Sequence, residues 1–385
     1  MNQSTNRRLV SIIAGIVAIA SSCFGQASTC YQINPAHTGA TVLNKPLTFP
    51  LVQKWVVTLP DQLSYPVIAD GRVFVLSRSI NGNYGTTLYA ISETDGSILW
   101  QESISGIYFW ATATYGDGRL YVINFNGTLQ AVNPADGSQI WSVNLPIQYA
   151  FSSAPTFCDG MVFVGGAGDG GTLYSVDAAT GNILWTQGVE NGDNSSPAVV
   201  CHKVYVSYAG DQSYCFSEMS GNLVWHYNGP AEGGGGKTVA VSDAGVYVRD
   251  SYGGDLCLNA NSGSLKSRYK ADHIPAFAKS SRFLMSGGVL QACDVNTGKR
   301  LWCFSGDGQL SSAPIVVNNT VFVGSGSGRV YGLDSKTGKV VWQTTIGSIQ
   351  SPDEQNVSQP LTGFAAGDGL IIFPATNELY AFGSQ

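Results

Sequence analysis

Hydrophobic positions in this chain come in short bursts. Runs of five or six β-branched and aromatic residues are cut off by Asp-Gly, Gly-Asp-Gly or Thr-Gly, and nothing sustains a helical period. One stretch shows the grammar in full. Ser153-Ala154-Pro155 leads into Asp159-Gly160-Met161-Val162-Phe163-Val164, then Thr172-Leu173-Tyr174-Ser175-Val176-Asp177, then Thr180-Gly181 and a segment ending at Trp185. Asp159-Gly160 suits a two-residue hairpin turn with positive φ, and Asp177 to Gly181 suits a second turn with Gly in the left-handed region. Four strands per unit follow, here termed A to D, with Trp on D.

The unit recurs. Trp100, Trp141, Trp185, Trp225, Trp302 and Trp342 each end a Gly-x-x-x-Trp segment, Ser267 stands where a seventh Trp is expected, and Trp55 marks the same register near the start. The mean spacing from Trp55 to Trp342 is about 41 residues, the length of a four-stranded propeller blade. A stack of β-sandwich domains would not repeat one turn and one Trp at one spacing. Complete A-B-C sets precede seven of the eight D registers. The remaining set, at 361–366, 369–374 and 378–382, has no D strand after it, and the D strand 54–59 has no set before it. Pairing the two closes a ring of eight blades and leaves no open sheet edge at the seam. The expectation is an all-β chain: a single eight-bladed β-propeller of four-stranded antiparallel blades over 54–385, closed by an N-terminal strand that completes the last blade.

Composition narrows the class. Of 385 residues, 44% are hydrophobic and only 12% charged, which excludes a disordered chain, and 47 Gly fit about 32 strands' worth of turns. Lys and Arg number 20 against 26 Asp and Glu, so no basic surplus exists to neutralise nucleic-acid phosphates. Residues 1–27 read as a signal peptide: Arg7-Arg8, the apolar run Leu9 to Ala20, and a small-residue site ending at Ala27. That run is too short to span a bilayer, and no later segment suggests a transmembrane helix. The chain is therefore expected to be secreted or periplasmic, with 28–53 as a lead-in. A lipid anchor at Cys23 is the less favoured variant, because Ala20-Ser21-Ser22-Cys23 lacks the usual leading Leu of a lipobox. The cysteines Cys30, Cys158, Cys201, Cys215, Cys257, Cys293 and Cys303 form no Cys-x-x-Cys pair and no Cys/His cluster, and are expected to act as small buried apolar residues.

The unit Leu-Tyr-x-x-Asp-x-x-Thr-Gly-x-x-x-Trp, carried best by residues 172–185, 290–302 and 330–342, resembles the pyrroloquinoline quinone (PQQ)-type propeller repeat. The resemblance covers about 54 to 385 and implies two branches. One is the quinoprotein alcohol dehydrogenases, which hold PQQ and calcium on the axis. The other is exported eight-bladed scaffolds such as the BamB lipoprotein of outer-membrane barrel assembly, the closer in size. Two departures weigh against the enzymes: this chain lacks the adjacent cysteine pair, and its blades are near minimal in length.

Candidate binding residues lie in the loops joining D to the next A. They are Tyr65, Tyr108, Trp110, Tyr149, Asp193, Lys237 and Asp272, expected at the mouth of the central channel. Trp110 is the one Trp outside the blade register. With Tyr108 and Tyr149 it could form a stacking platform, or it could fill the gap between blades one, two and three. His37, His202, His226 and His273 are scattered, so no metal site is expected, and His202 and His226 read as surface residues. No catalytic set converges. The leading expectation is an exported, non-catalytic scaffold presenting loops to a protein, peptide or glycan partner. The alternative is a PQQ- and calcium-dependent oxidoreductase with a reduced axial site.

Overall fold

A computed structural model of the protein describes residues 27–79, 84–190, 192, 195–230, 236–249, 254–354 and 357–385. The leader reading and the lipid anchor at Cys23 fall almost wholly outside these residues. Eight antiparallel sheets follow one another around a ring, without helices among the described residues. Blade three is the longest, with strands Thr156–Cys158, Met161–Gly168, Gly170–Asp177 and Ile183–Val189. Blade five is the shortest, with Ala240–Ser242, Gly245–Val248, Asp255–Leu258 and Leu265–Tyr269. The seam lies where the unpaired D register indicated. Val52–Thr58 pairs with Glu378–Gly383 and completes the last blade. The A strand of that blade, Ala365–Gly367, is shorter than the 361–366 expected, because neighbouring blades converge at the axis. There Leu361 instead accepts from Tyr65 N–H of blade one.

B and C strands are buried on both faces because each is sandwiched between two neighbouring blades, whereas D strands alternate. A one-residue bulge interrupts every C–D pairing just before the Trp position. The extra residue turns out to solvent, which explains the ring of exposed Leu99, Ile140, Leu184, Val224, Leu301 and Val341. The bulge also aims the following Trp at the next blade. There its indole N–H donates to a C–D-turn carbonyl: Trp55 to Glu93, Trp100 to Pro134, Trp141 to Ala178, Trp185 to Glu218, Trp225 to Ala260 and Trp302 to Ser335, at 2.8–3.1 Å. Trp342 closes the last interface on Leu51 O at 3.1 Å. Within its own blade every ring but that of Trp55 packs on a B-strand aromatic, as Trp185 does on Phe163 at 5.8 Å between centroids, whereas Trp55 meets Ile372 at that register.

The lead-in does more than connect. Residues 28–41 run around the axis and bond to the inner strands of seven blades. Ser28 O accepts from Ile68 N, Thr29 O from Tyr115 N, Pro35 O from Val199 N, Ala36 O from Val241 N and Thr38 O from Phe277 N. Gly39 O then accepts from Val316 N, and Ala40–Thr41 joins blade seven as a fifth, parallel strand, while Ser28 N donates to Ala366 O of blade eight. The inner strands would otherwise present unpaired backbone groups to the channel, so this segment satisfies them as it fills the space.

Candidate functional site

Three regions of the ring could hold a ligand: the axis, the face carrying the A–B and C–D turns, and the opposite face carrying the D–A and B–C loops. The axis is occupied by the protein itself. Tyr31, Ile33, Ala36 and His37 of the lead-in are all buried there. His37 lies against Val239 O through Nδ1 at 3.0 Å and against Thr156 Oγ1 through Nε2 at 3.3 Å, and burial pushes its pKa down to about 4. Tyr31 stacks obliquely on Tyr65 at 5.2 Å and donates to Glu354 Oε1 at 3.5 Å. Glu354 in turn accepts from Arg249 Nη2 at 2.5 Å and from Thr238 N at 2.6 Å. Burial alone would raise the Glu354 pKa, but Arg249 and the Thr238 amide outweigh it and hold the carboxyl below its ordinary value.

A quinone with three carboxylates needs a flat aromatic slot, unpaired cations and oxygen ligands for calcium. Here Arg249 is already neutralised by Glu354, and lead-in side chains stand on the axis. The axial residues present do not fit that cofactor.

The sequence candidates divide between core and surface. Tyr65 is buried and donates its hydroxyl to Ala113 O at 2.7 Å. Trp110, 1% exposed, packs with Tyr121, Leu145 and Phe151 between blades two and three. This corrects the reading of both as open groups at the channel mouth, since each fills a gap between converging blades. Tyr149 is 61% exposed and lies over Gly168, so Trp110 and Tyr149 do not form a common platform. Lys237 is half-buried and its carbonyl accepts from Ser207 Oγ at 2.9 Å, whereas exposed Asp272 accepts from Gly287 N at 2.6 Å. Asp193 lies outside the described residues.

What the structure does bring together is an aromatic patch on the loop face of blades one to three. Tyr108 meets Phe125 edge-on at 4.7 Å and Tyr84 at 6.0 Å, Tyr84 meets Phe109 at 5.2 Å, and Arg78 lies over Phe109 at 4.0 Å. Ile107, Ile147 and Tyr149 extend the exposed apolar surface on that face. Sequence reading missed Tyr84 and Phe125. The available signal was the long B–C connection of blade one, which carries Tyr84 beyond the blade. Under the other face a cavity of about 700 Å³ opens over blade five, lined by Lys203, Val241, Asn261, Phe277, Lys279 and Asn296. That size suits a small ligand, but Lys203 is already held by Asn261 at 2.8 Å.

The cysteines also sort by position: Cys30, Cys215, Cys257 and Cys293 are buried, as expected of small apolar residues, but Cys201 and Cys303 are exposed, on a turn and on an outer strand. Among the described residues no helix is long and apolar enough to cross a membrane.

Comparison with known proteins gives the same fold. The family model described as outer membrane protein assembly factor BamB matches residues 85–233 and 214–378. A tetrathionate hydrolase of Acidithiobacillus ferrooxidans is 25% identical over 204 residues, 53% of this chain but only 30% of that protein. The BamB of Yersinia pestis is 26% identical over 277 residues, 65% of this chain and 67% of its own length. Among solved structures, quinohemoprotein alcohol dehydrogenase from Comamonas testosteroni superposes with a TM-score of 0.75 at 13% identity. That match covers 94% of this chain and 81% of the enzyme. At that identity it speaks for the fold alone.

Proposed function

This chain belongs to the PQQ-type propeller family described as outer membrane protein assembly factor BamB, and we propose that it is a non-catalytic scaffold that holds a protein partner on the loop face of blades one to three. The exposed aromatic cluster around Tyr84 and Tyr108, with exposed Tyr149 on the same face of the ring, carries this reading. Aromatic and apolar side chains in open loops on a rigid ring suit protein recognition, and contiguous exposed apolar surface marks contact sites. Trp110 supports the patch from below: it is core, and it fixes the loop from which Tyr108 projects.

The rest of the reading concerns place and chemistry. The basic start and apolar run of residues 1–27 support export to the periplasm or cell exterior. A mature chain beginning at Ser28, measured by intact mass, is the expected product, and a diacylglyceryl group on Cys23 would instead place it on a membrane. Peptide and glycan partners use similar aromatic surfaces, but the family description favours a protein.

The test is site-specific photocrosslinking in cells that export the chain. A photoreactive residue at Tyr149 is expected to give a discrete adduct with a protein of outer-membrane barrel assembly, and one at Met219, exposed on the opposite face, is expected to give none. The same adducts from both positions would sink the assignment of the face. The quinone-dependent alternative has its own test: purified protein incubated with PQQ and calcium. A stoichiometric bound chromophore would overturn the non-catalytic reading, and the filled axis leads us to expect none.

A further inference from the structure

At the boundary between blades three and four, on the turn face and away from the aromatic patch, four side chains of metal-binding type converge. Cys158 Sγ and one carboxylate oxygen each of Asp159 and Glu218 lie within 4.8 Å of one another. His202 Nδ1 reaches Glu218 Oε2 at 3.2 Å and Asp159 Oδ2 at 3.8 Å. Three chain segments build the cluster. Asp159 begins the A–B turn of blade three, His202 takes the second position of the A–B turn of blade four, and Glu218 follows the C strand of blade four. In blades one, two, three and eight that second turn position is Gly, as in Asp159-Gly160, whereas here His202 adopts φ 57° and places an imidazole beside the two acids.

Glu218 is the informative member. Its side chain is 0% exposed, and its Oε1 is buried with no hydrogen-bond partner. A buried carboxylate oxygen left unpaired is costly, more so beside a second acid. A cation between the two acids removes both costs. Cys158, buried beside the two acids, forms a wall of the site.

We propose that Asp159, His202 and Glu218 form a binding site for a divalent transition-metal ion, with zinc as its best-matched occupant, that ties blade three to blade four. One imidazole nitrogen with two carboxylates suits zinc and cobalt better than calcium, which prefers oxygen ligands alone. The site is open on one side, because His202 is largely exposed, so water completes the coordination. The ion would reinforce a boundary already latched by Trp185, whose indole donates to Glu218 O at 2.9 Å. The inference does not depend on the partner reading, since the two regions lie on opposite faces.

The experiment is calorimetric titration of tag-free, chelator-stripped full chain with zinc chloride, repeated with cobalt for its visible spectrum. Expected are one ion per chain, a cobalt absorption band of a nitrogen- and oxygen-ligated ion, and a rise in Tm of about 3 °C or more at zinc well above Kd. His202→Ala and Asp159→Asn lie at exposed positions and keep the fold, and each should weaken binding at least about tenfold and abolish the Tm rise. Glu218→Gln keeps the carbonyl that latches Trp185 and should do the same. No binding to the wild-type chain, or binding left unchanged by His202→Ala and Asp159→Asn together, would overturn the proposal.

Discussion

The boundary between blades three and four and the boundary between blades five and six solve one packing problem in two ways. At the first, Trp185 projects from its bulge across to blade four, donates to Glu218 O, and lies so close to Gly221 that a Cβ there would sit 2.7 Å from the ring. At the second, Ser267 holds the Trp position and supplies no ring. Arg282 fills the gap from the other side. It occupies a B-strand position that is Val162, Val204, Val246 or Val321 in other blades, and its guanidinium lies 5.6 Å from the Tyr247 ring centroid and 5.8 Å from that of Tyr269. Gly298, the counterpart of Gly221, accordingly faces Arg282 Nη2 and not an indole. An aromatic wedge from the preceding blade has been exchanged for a cationic one from the following blade. The lesson is that the repeat conserves the filled volume at each boundary and not the residue that fills it.

Truncating the wedge itself should break the comparison most sharply. Trp185→Ala removes the stack on Phe163 and the latch to Glu218, and should cost about 4 kcal/mol in chemical denaturation. Ser267→Ala should change stability by no more than about 0.5 kcal/mol. A double-mutant cycle probes the exchange directly. Ser267→Trp alone overpacks against Arg282, and Arg282→Val alone leaves a cavity, each costing about 2 kcal/mol. The double variant restores the common pattern and should fall short of the sum by at least about 1 kcal/mol. Additivity would mean that Arg282 does not replace the indole.

The two glycines sharpen the contrast further. Gly221 and Gly298 share a left-handed φ, 69° and 70°, so Ala carries the same backbone strain at both. Gly221→Ala also drives a methyl into a fixed ring, whereas at Gly298 the nearest atom is the mobile end of Arg282. We expect about 2 kcal/mol against about 1 kcal/mol by thermal unfolding. The smallest effect is local. Blade five, with a missing Trp and inner strands of only three and four residues, should exchange its B- and C-strand amides about tenfold faster than blade three, read by hydrogen exchange.

Much of this was legible in the chain alone because a propeller is built from local rules repeated. The Asp-Gly and Thr-Gly turns, the Trp register and the orphan strand around Trp55 each involve a few neighbouring residues, and the blade count and the closing strand followed from them. The absent Trp at Ser267 was legible too, but its replacement by Arg282 was not. The two positions are 15 residues apart in different blades, and only the sheet register sets them at one boundary. Candidate sites were least legible. Trp110 stood outside the repeat and so drew notice as a binding residue, yet its place between two converging blades makes it core. His202 looked like one scattered histidine of four, and nothing local linked it to Asp159 or Glu218.

The sequence by itself determined the architecture, since hydrophobic period, turn chemistry and a fixed spacing dictate strands, blades and their number. Tertiary structure alone decided what the axis and the blade boundaries hold. Ring closure brought the lead-in from Ser28 to Thr41 onto the inner strands, set Arg249 against Glu354, and gathered Asp159, His202 and Glu218 from two blades. The physical reason is one of range. Strand and turn preferences act over a few residues, whereas burial, charge pairing and metal ligation depend on distances in space that only closing the ring creates.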